Sequence, residues 1–171
     1  MYSLNMLKEL AAHMNWAEGR IWETVLSITS ASEDKKLKEL LHHNQLTKNA
    51  FYNFWTGQPM EFPELSEFET LCDMAKWASQ YLKLVQNHID GMDKKDIDKI
   101  VIIPWADRIE KILGKKPADS NMSETILQLT MHSAHHRGQI NSCIRELKAE
   151  PPLVDFIAWV WLGKPEAVWP V

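Results

Sequence analysis

The stretch from Met131 to Gln139, Met-His-Ser-Ala-His-His-Arg-Gly-Gln, holds three of the chain's seven histidines. Residues at i and i+4 stand one above the other on a helix, so His132 and His136 can direct both imidazoles at one point. That spacing suits a divalent metal ion. Two imidazoles would leave such an ion mostly hydrated, so a third protein ligand is needed, and the other histidine doublet, His42-His43, is the place to seek it.

The elements that must position these histidines are helices with a clear apolar period. The first spans about Leu4 to Ile28, with Leu7, Leu10, Met14, Ala17, Ile21 and Val25 on one stripe. Ser30-Ala-Ser-Glu33 has the capping-box pattern and predicts a second helix running to about Trp55, before Gly57-Gln-Pro. Ser66-Glu-Phe-Glu69 predicts the start of a third, ending near Ile89 before Gly91. Asn121-Met-Ser-Glu124 opens the fourth, which carries the histidine motif and stops before Pro151-Pro152. The link from Met92 to Ser120 is too long for a plain loop, and Ile100-Val-Ile-Ile-Pro104 has strand chemistry. Lys111-Ile-Leu-Gly-Lys-Lys is a candidate hairpin partner, although Arg108 to Leu113 equally suits a helical turn. Leu153 to Trp161 reads as a short C-terminal helix ended by Gly163. The expected fold is an all-α four-helix bundle, one domain over residues 1–171, with a long connection between the third and fourth helices.

Helical arithmetic chooses between the doublet's members. At about 100° per residue, His43 lies about 60° from Leu40 and about 20° from Phe54, whereas His42 lies about 160° from Leu40. His43 is therefore expected to point inward and His42 outward. On the fourth helix, His132 and His136 fall within the same arc as Leu129, Ile140 and Cys143, and His135 falls outside it. His43, His132 and His136 thus form a candidate three-nitrogen metal site with an open coordination position. His13 and His88 lack companions and read as structural, with Glu124 a helix cap and Asp155 a helix start.

Composition narrows the partners. The 171 residues carry 19 basic and 23 acidic side chains, a net charge of -4, which offers no footprint for phosphate backbones, so nucleic acid is not expected as a partner. No stretch approaches the roughly 20 apolar residues of a membrane span, and the first residues lack the pattern of a signal peptide, so a cytoplasmic protein is expected. Cys72 and Cys143 form no Cys-x-x-Cys pair and read as free thiols. Eight tryptophans recur among apolar neighbours, as core residues would.

The run His132-x-x-x-His136-Arg-Gly-Gln-Ile140, followed by Ile144-Arg and by Pro151-Pro152-x-x-Asp155-x-x-x-Trp159, resembles the DinB-like (DinB/YfiT) superfamily of four-helix-bundle metalloenzymes. Asn15-Trp-Ala17 in the first helix and a histidine early in the second agree with it. The resemblance implies a divalent ion, zinc or nickel and sometimes manganese, held by one histidine of the second helix and two of the fourth. On this chain those are His43, His132 and His136; the doublet leaves the first of them open, and the helical arc favours His43. The resemblance also implies thiol S-transferase or hydrolase chemistry on a small-molecule substrate, with a low-molecular-weight thiol as possible cofactor, and a homodimer. An open-site ion lowers the pKa of a thiol or a water. The pocket walls are expected from the first and third helices and from Trp159 and Trp161. Arg137 is expected in a structural salt bridge, Gly138 at a close helix contact, and Gln139 near the metal-facing arc. The alternative is a non-catalytic metal-binding or stress-response bundle protein.

Overall fold

Asp34, whose backbone is extended, accepts a hydrogen bond from the Leu37 amide at 2.8 Å and so starts a helix that ends where Gly57 turns left-handed at φ 69°. The computed structural model describes residues 2–171, and four long helices dominate it: α1 (Leu4–Ser27), α2 (Lys35–Thr56), α3 (Leu71–Asp90) and α6 (Met122–Glu146). Short helices α4 (Lys94–Ile97) and α5 (Ala106–Leu113) interrupt the long connection, and α7 (Phe156–Trp161) follows the bundle. The fold is all-α apart from one two-residue ribbon.

α1 and α2 each pack against both α3 and α6. The first two helices therefore sit diagonally across the bundle, with α3 and α6 on the other diagonal. Among the described residues no helix is long and apolar enough to cross a membrane.

The expected helix starts shift in two places. Ser30 to Glu33 lies inside a 3-10 turn, Thr29–Glu33, so Asp34, the next residue with extended backbone, caps α2. Ser66 likewise sits in a 3-10 turn, Leu65–Glu67, closed by Glu64 and Glu67, while Thr70 caps α3 by accepting from the Asp73 amide at 3.1 Å. The Asn121–Glu124 capping box forms as expected: Asn121 Oδ1 accepts from the Glu124 amide at 3.0 Å, and Glu124 Oε2 accepts from the Asn121 amide at 2.8 Å. In the connection, β1 (Ile100–Val101) pairs antiparallel with β2 (Ser120–Asn121) instead of with Lys111 to Lys116. The latter candidate belongs to α5 and its left-handed Gly114 cap, because Ile109, Ile112 and Leu113 recur at a helical period.

The core divides into two apolar layers. One contains Leu7, Met14, Phe51, Leu82, Ile126 and Leu129; the other contains Ile21, Trp22, Leu41, Met74, Ile140 and Cys143. Between them, by position along each helix, lies a belt of buried polar groups: Glu18 of α1, Asn44 and Lys48 of α2, and Ser133 and Arg137 of α6. Glu18 Oε1 accepts from Ser133 Oγ at 2.6 Å and lies 3.5 Å from both Lys48 Nζ and Arg137 Nη1. Asn44 Nδ2 donates to both Glu18 oxygens at 3.1 and 3.2 Å. One carboxylate thus ties three helices together, consistent with the structural salt bridge expected for Arg137.

Trp16, Trp22 and Trp159 are core residues, but Trp161 is 79% exposed. Gly138 does not mediate a close helix contact, since a Cβ there would meet nothing within 4 Å. The crowded glycine is Gly19, where an added Cβ would lie 2.5 Å from the Val168 carbonyl oxygen. The C-terminal segment runs that close to α1, and Trp169 Nε1 donates to Asn15 Oδ1 at 3.0 Å.

Candidate metal centre

α2 and α6 lie side by side, so a residue two turns into α2 meets the middle of α6. His43 arrives there opposite His132 and His136, and one ring nitrogen from each of the three lies within 4.8 Å of the others. Ring centroids are 5.3 Å apart for His43 and His132, 4.7 Å for His43 and His136, and 4.3 Å for His132 and His136. His43 is exposed and the other two are half-buried, so the cluster sits at a solvent-open seam at the level of the polar belt.

The doublet on α2 behaves otherwise than the arc predicts. His42 is buried, not outward: it stacks on Trp77 at 5.9 Å, and its Nε2 donates to the Pro63 carbonyl at 2.9 Å. His43 is the exposed member, directed at the α6 histidines along the bundle edge. The physical reason is that α2 is flanked by α3 as well as by α6, so its buried face is wider than its apolar arc and includes Asn44, Gln45, Lys48, Asn49 and Asn53. His135 is exposed with its ring 5.0 Å from that of His136 and lies outside the cluster. His13, as a structural histidine, donates from Nε2 to the Val154 carbonyl at 2.9 Å, and His88 stacks on Trp55 at 5.9 Å.

The protonation states suit metal ligation. Burial, reinforced by His136 and His43, pushes the His132 imidazole down to about 4. Burial also lowers His136, despite its bond to Gln139, and lowers His43, with His42 and Lys48 adding to the effect. All three rings are neutral at physiological pH and have lone pairs to offer. His136 Nδ1 donates to Gln139 Oε1 at 2.6 Å, which leaves its Nε2 unprotonated and aimed at His132 Nε2, 3.1 Å away. Two imidazole nitrogens on one tetrahedral zinc ion would be separated by roughly 3.3 Å, so the pair is nearly preset. The residues present therefore fit a divalent ion. His132 Nδ1 is buried without a partner.

Two cavities meet at His43. One, about 760 Å³, is lined by His43, His132, residues of α2 and α6, and the connection around Trp105 and Ile109. The other, about 640 Å³, is lined by Lys36, Glu39, Leu40, His43, Gln139, Ser142 and Glu146. The walls expected from the first and third helices and from Trp159 and Trp161 are thus supplied by other elements. Trp159 instead packs on Trp16 and Ala17.

The belt behind the cluster is the part that periodicity overlooked. Burial drives Glu18 upward, but Lys48, Arg137 and the hydrogen bonds from Ser133 and Asn44 outweigh it and hold the carboxyl below its ordinary value of 4.5. Burial also drives Lys48 down to about 8 against the pull of Glu18. A signal for the belt was present: Glu18 falls on the apolar stripe, four residues after Met14 and three before Ile21.

The sequence profile of the DinB family matches residues 1–166, which includes all three clustered histidines. No protein with a curated description matches the chain. The match runs over nearly the whole sequence, and the four long helices and the paired histidines on α6 agree with the motif that resembles that group; the chain belongs to the DinB family.

Proposed function

We propose that this protein is a divalent-metal-dependent enzyme of the thiol S-transferase or hydrolase type, with His43, His132 and His136 as the metal ligands. The observation that carries the reading is the set of three neutral imidazoles within 4.8 Å of one another at the mouth of two cavities. Zinc and nickel suit an all-imidazole donor set, and manganese suits it less. When bound, a divalent ion with an open position lowers the pKa of a thiol or a water and polarises the bond to be attacked.

The remaining work belongs to the chain. Gln139 fixes the tautomer and direction of His136, and Thr47 Oγ1, donating to the His43 carbonyl at 3.2 Å, braces the helix turn that presents His43. The Glu18 belt pins α1, α2 and α6 at the level where the ligands sit, which limits rearrangement when substrate enters. Trp105 and Ile109 line the same cavity as His43 and His132.

A catalytic site is favoured over a purely structural one by the donor count. Among the described residues, three donors make up the cluster, and Cys143, the candidate for a fourth on α6, is wholly buried in the apolar layer around Ile140. The test is to measure metal content after purification without chelator, then assay thiol transfer and ester or amide hydrolysis with the loaded protein and with His132→Ala. Turnover that needs metal and vanishes in the variant supports the proposal. Stoichiometric metal with no turnover on any thiol or acyl substrate supports a binding protein instead.

A further inference from the structure

The larger cavity at the histidine cluster has an unusual charge balance. Its wall is apolar: Ala50 and Phe51 from α2, Ile103 and Trp105 from the connection, Ala106 and Ile109 from α5. Trp105 stands edge-on to Phe51 at 5.3 Å and to Phe54 at 6.0 Å, which holds the indole against the cavity. No lysine or arginine lines it, and Glu124 is its one carboxylate.

Most of its polar groups are already spent. Glu124 Oε2 accepts from the Asn121 amide, Thr47 donates to the His43 carbonyl, and Thr125 Oγ1 accepts from Trp55 Nε1 at 3.0 Å while donating to the Met122 carbonyl at 2.7 Å. The Ser120 hydroxyl and the Gln128 amide are not spent, and of the two Gln128 is on the helix that carries His132. It lies one turn before His132, it is exposed, and its amide makes no side-chain hydrogen bond among the described residues.

We infer that the compound handled at the histidine cluster has a neutral, aromatic body that lies against Phe51 and Trp105, with one uncharged polar group in reach of the Gln128 amide. The inference rests on the metal-site reading for the reacting end and on the cavity alone for the body. A cavity of about 760 Å³ takes a molecule of one or two fused rings with room for a reacting arm toward His43 and His132. An anionic tail would give up water for a wall with no cation and with Glu124 nearby, which disfavours it.

The test uses calorimetry on the full chain with three naphthyl compounds and one small reference hydroxamate. Naphthalene-2-carboxamide and 2-naphthoate share a shape and differ in charge, and both are titrated into metal-free protein. The amide is expected to bind at least about 10-fold more tightly than the carboxylate, since only the anion loses hydration without a partner. Trp105→Ala should weaken the amide by about 5-fold or more through loss of aromatic contact. Ile109→Lys, at a position already 41% exposed and so safe for folding, should bring the carboxylate up to parity or beyond. Equal binding of the two compounds, or an Ile109→Lys protein that still rejects the carboxylate, overturns the inference.

The third compound, 2-naphthohydroxamic acid, is compared with acetohydroxamic acid on zinc-loaded protein. A gain of about 10-fold or more from the naphthyl group places the aromatic body and the metal in one site. No gain, with the amide still preferred in metal-free protein, separates the cavity from the reacting centre and also overturns the inference. Failure of zinc itself to bind in a direct titration would defeat the metal reading while leaving the amide comparison to judge the cavity.

Discussion

His132 and His136 face each other through like atoms, with their Nε2 nitrogens 3.1 Å apart and the far nitrogen of His136 donating to Gln139. Both rings are neutral, and because His136 Nε2 carries a lone pair the contact is a hydrogen bond in which His132 Nε2 donates to His136 Nε2. The two Nε2 atoms would hold a divalent ion once that shared proton is displaced, with His43 opposite to complete the set. The first expectation concerns this trio. Alanine at His43, His132 or His136 should lower divalent-metal affinity by more than about 100-fold, beyond the range usual for outer-shell partners, while His135→Ala leaves it unchanged. His42→Ala should cost stability through the loss of its Pro63 bond and Trp77 stacking, with metal affinity retained. Competitive titration with a chromogenic chelator reads affinity, and thermal melting reads the His42 effect. Full affinity in His136→Ala would show that the ligands lie elsewhere.

Gln139 sets the tautomer of His136 across 2.6 Å. Gln139→Leu removes that acceptor and is expected to weaken metal binding by about 10-fold, whereas Gln139→Glu, which keeps an acceptor, should hold or raise it. Parallel titrations of the two variants decide the matter. Equal loss in both would mean that Gln139 acts through packing and not through the histidine.

Glu18 compensates two buried cations, so Glu18→Gln should destabilise the fold by about 3–5 kcal/mol in urea unfolding. Its carboxyl is held below 4.5 in the folded chain, so its contribution is complete above that value and is lost as pH falls through the folded one. Lys48 gives the opposite limb. Its folded value of about 8 lies below its ordinary 10.5, so between those values the unfolded chain holds a proton that the folded chain has released, and stability rises with pH. Lys48→Met should abolish that alkaline rise relative to the unmodified protein. An identical alkaline slope in the two proteins would argue against a depressed Lys48.

The two α-helical glycines separate by their surroundings. Gly138→Ala fills open space on a helix and should add about 0.5–1 kcal/mol of stability. Gly19→Ala forces a methyl against the Val168 carbonyl and should cost about 1–3 kcal/mol, freeing the C-terminal segment that carries Trp169. Chemical denaturation checks both signs, and proteolysis near the C-terminus checks the second mechanism.

The bundle should stay helical after chelation, because its two apolar layers are complete without a metal. Added zinc should raise the melting temperature in step with free concentration over the dissociation constant. Circular dichroism with and without chelator is the measurement. Loss of helical signal would make the metal structural and favour a binding protein.

The sequence by itself determined the four long helices, since Leu7, Met14, Leu82, Leu129 and their neighbours repeat at a period that only helices can bury on one side. It also determined the i, i+4 pair on α6 and the Asn121–Glu124 cap, both of which are local in the chain. Tertiary structure decided the rest. Which member of the His42-His43 doublet meets that pair depends on where α3 and α6 flank α2, a relation between helices that no single helix encodes. The same holds for Glu18, Lys48 and Arg137, which come from three helices and are buried because each supplies what the others lack. The pairing of Ile100 with Asn121 was hidden for a similar reason: two-residue strands carry too little pattern, and their register is fixed by the helices they connect.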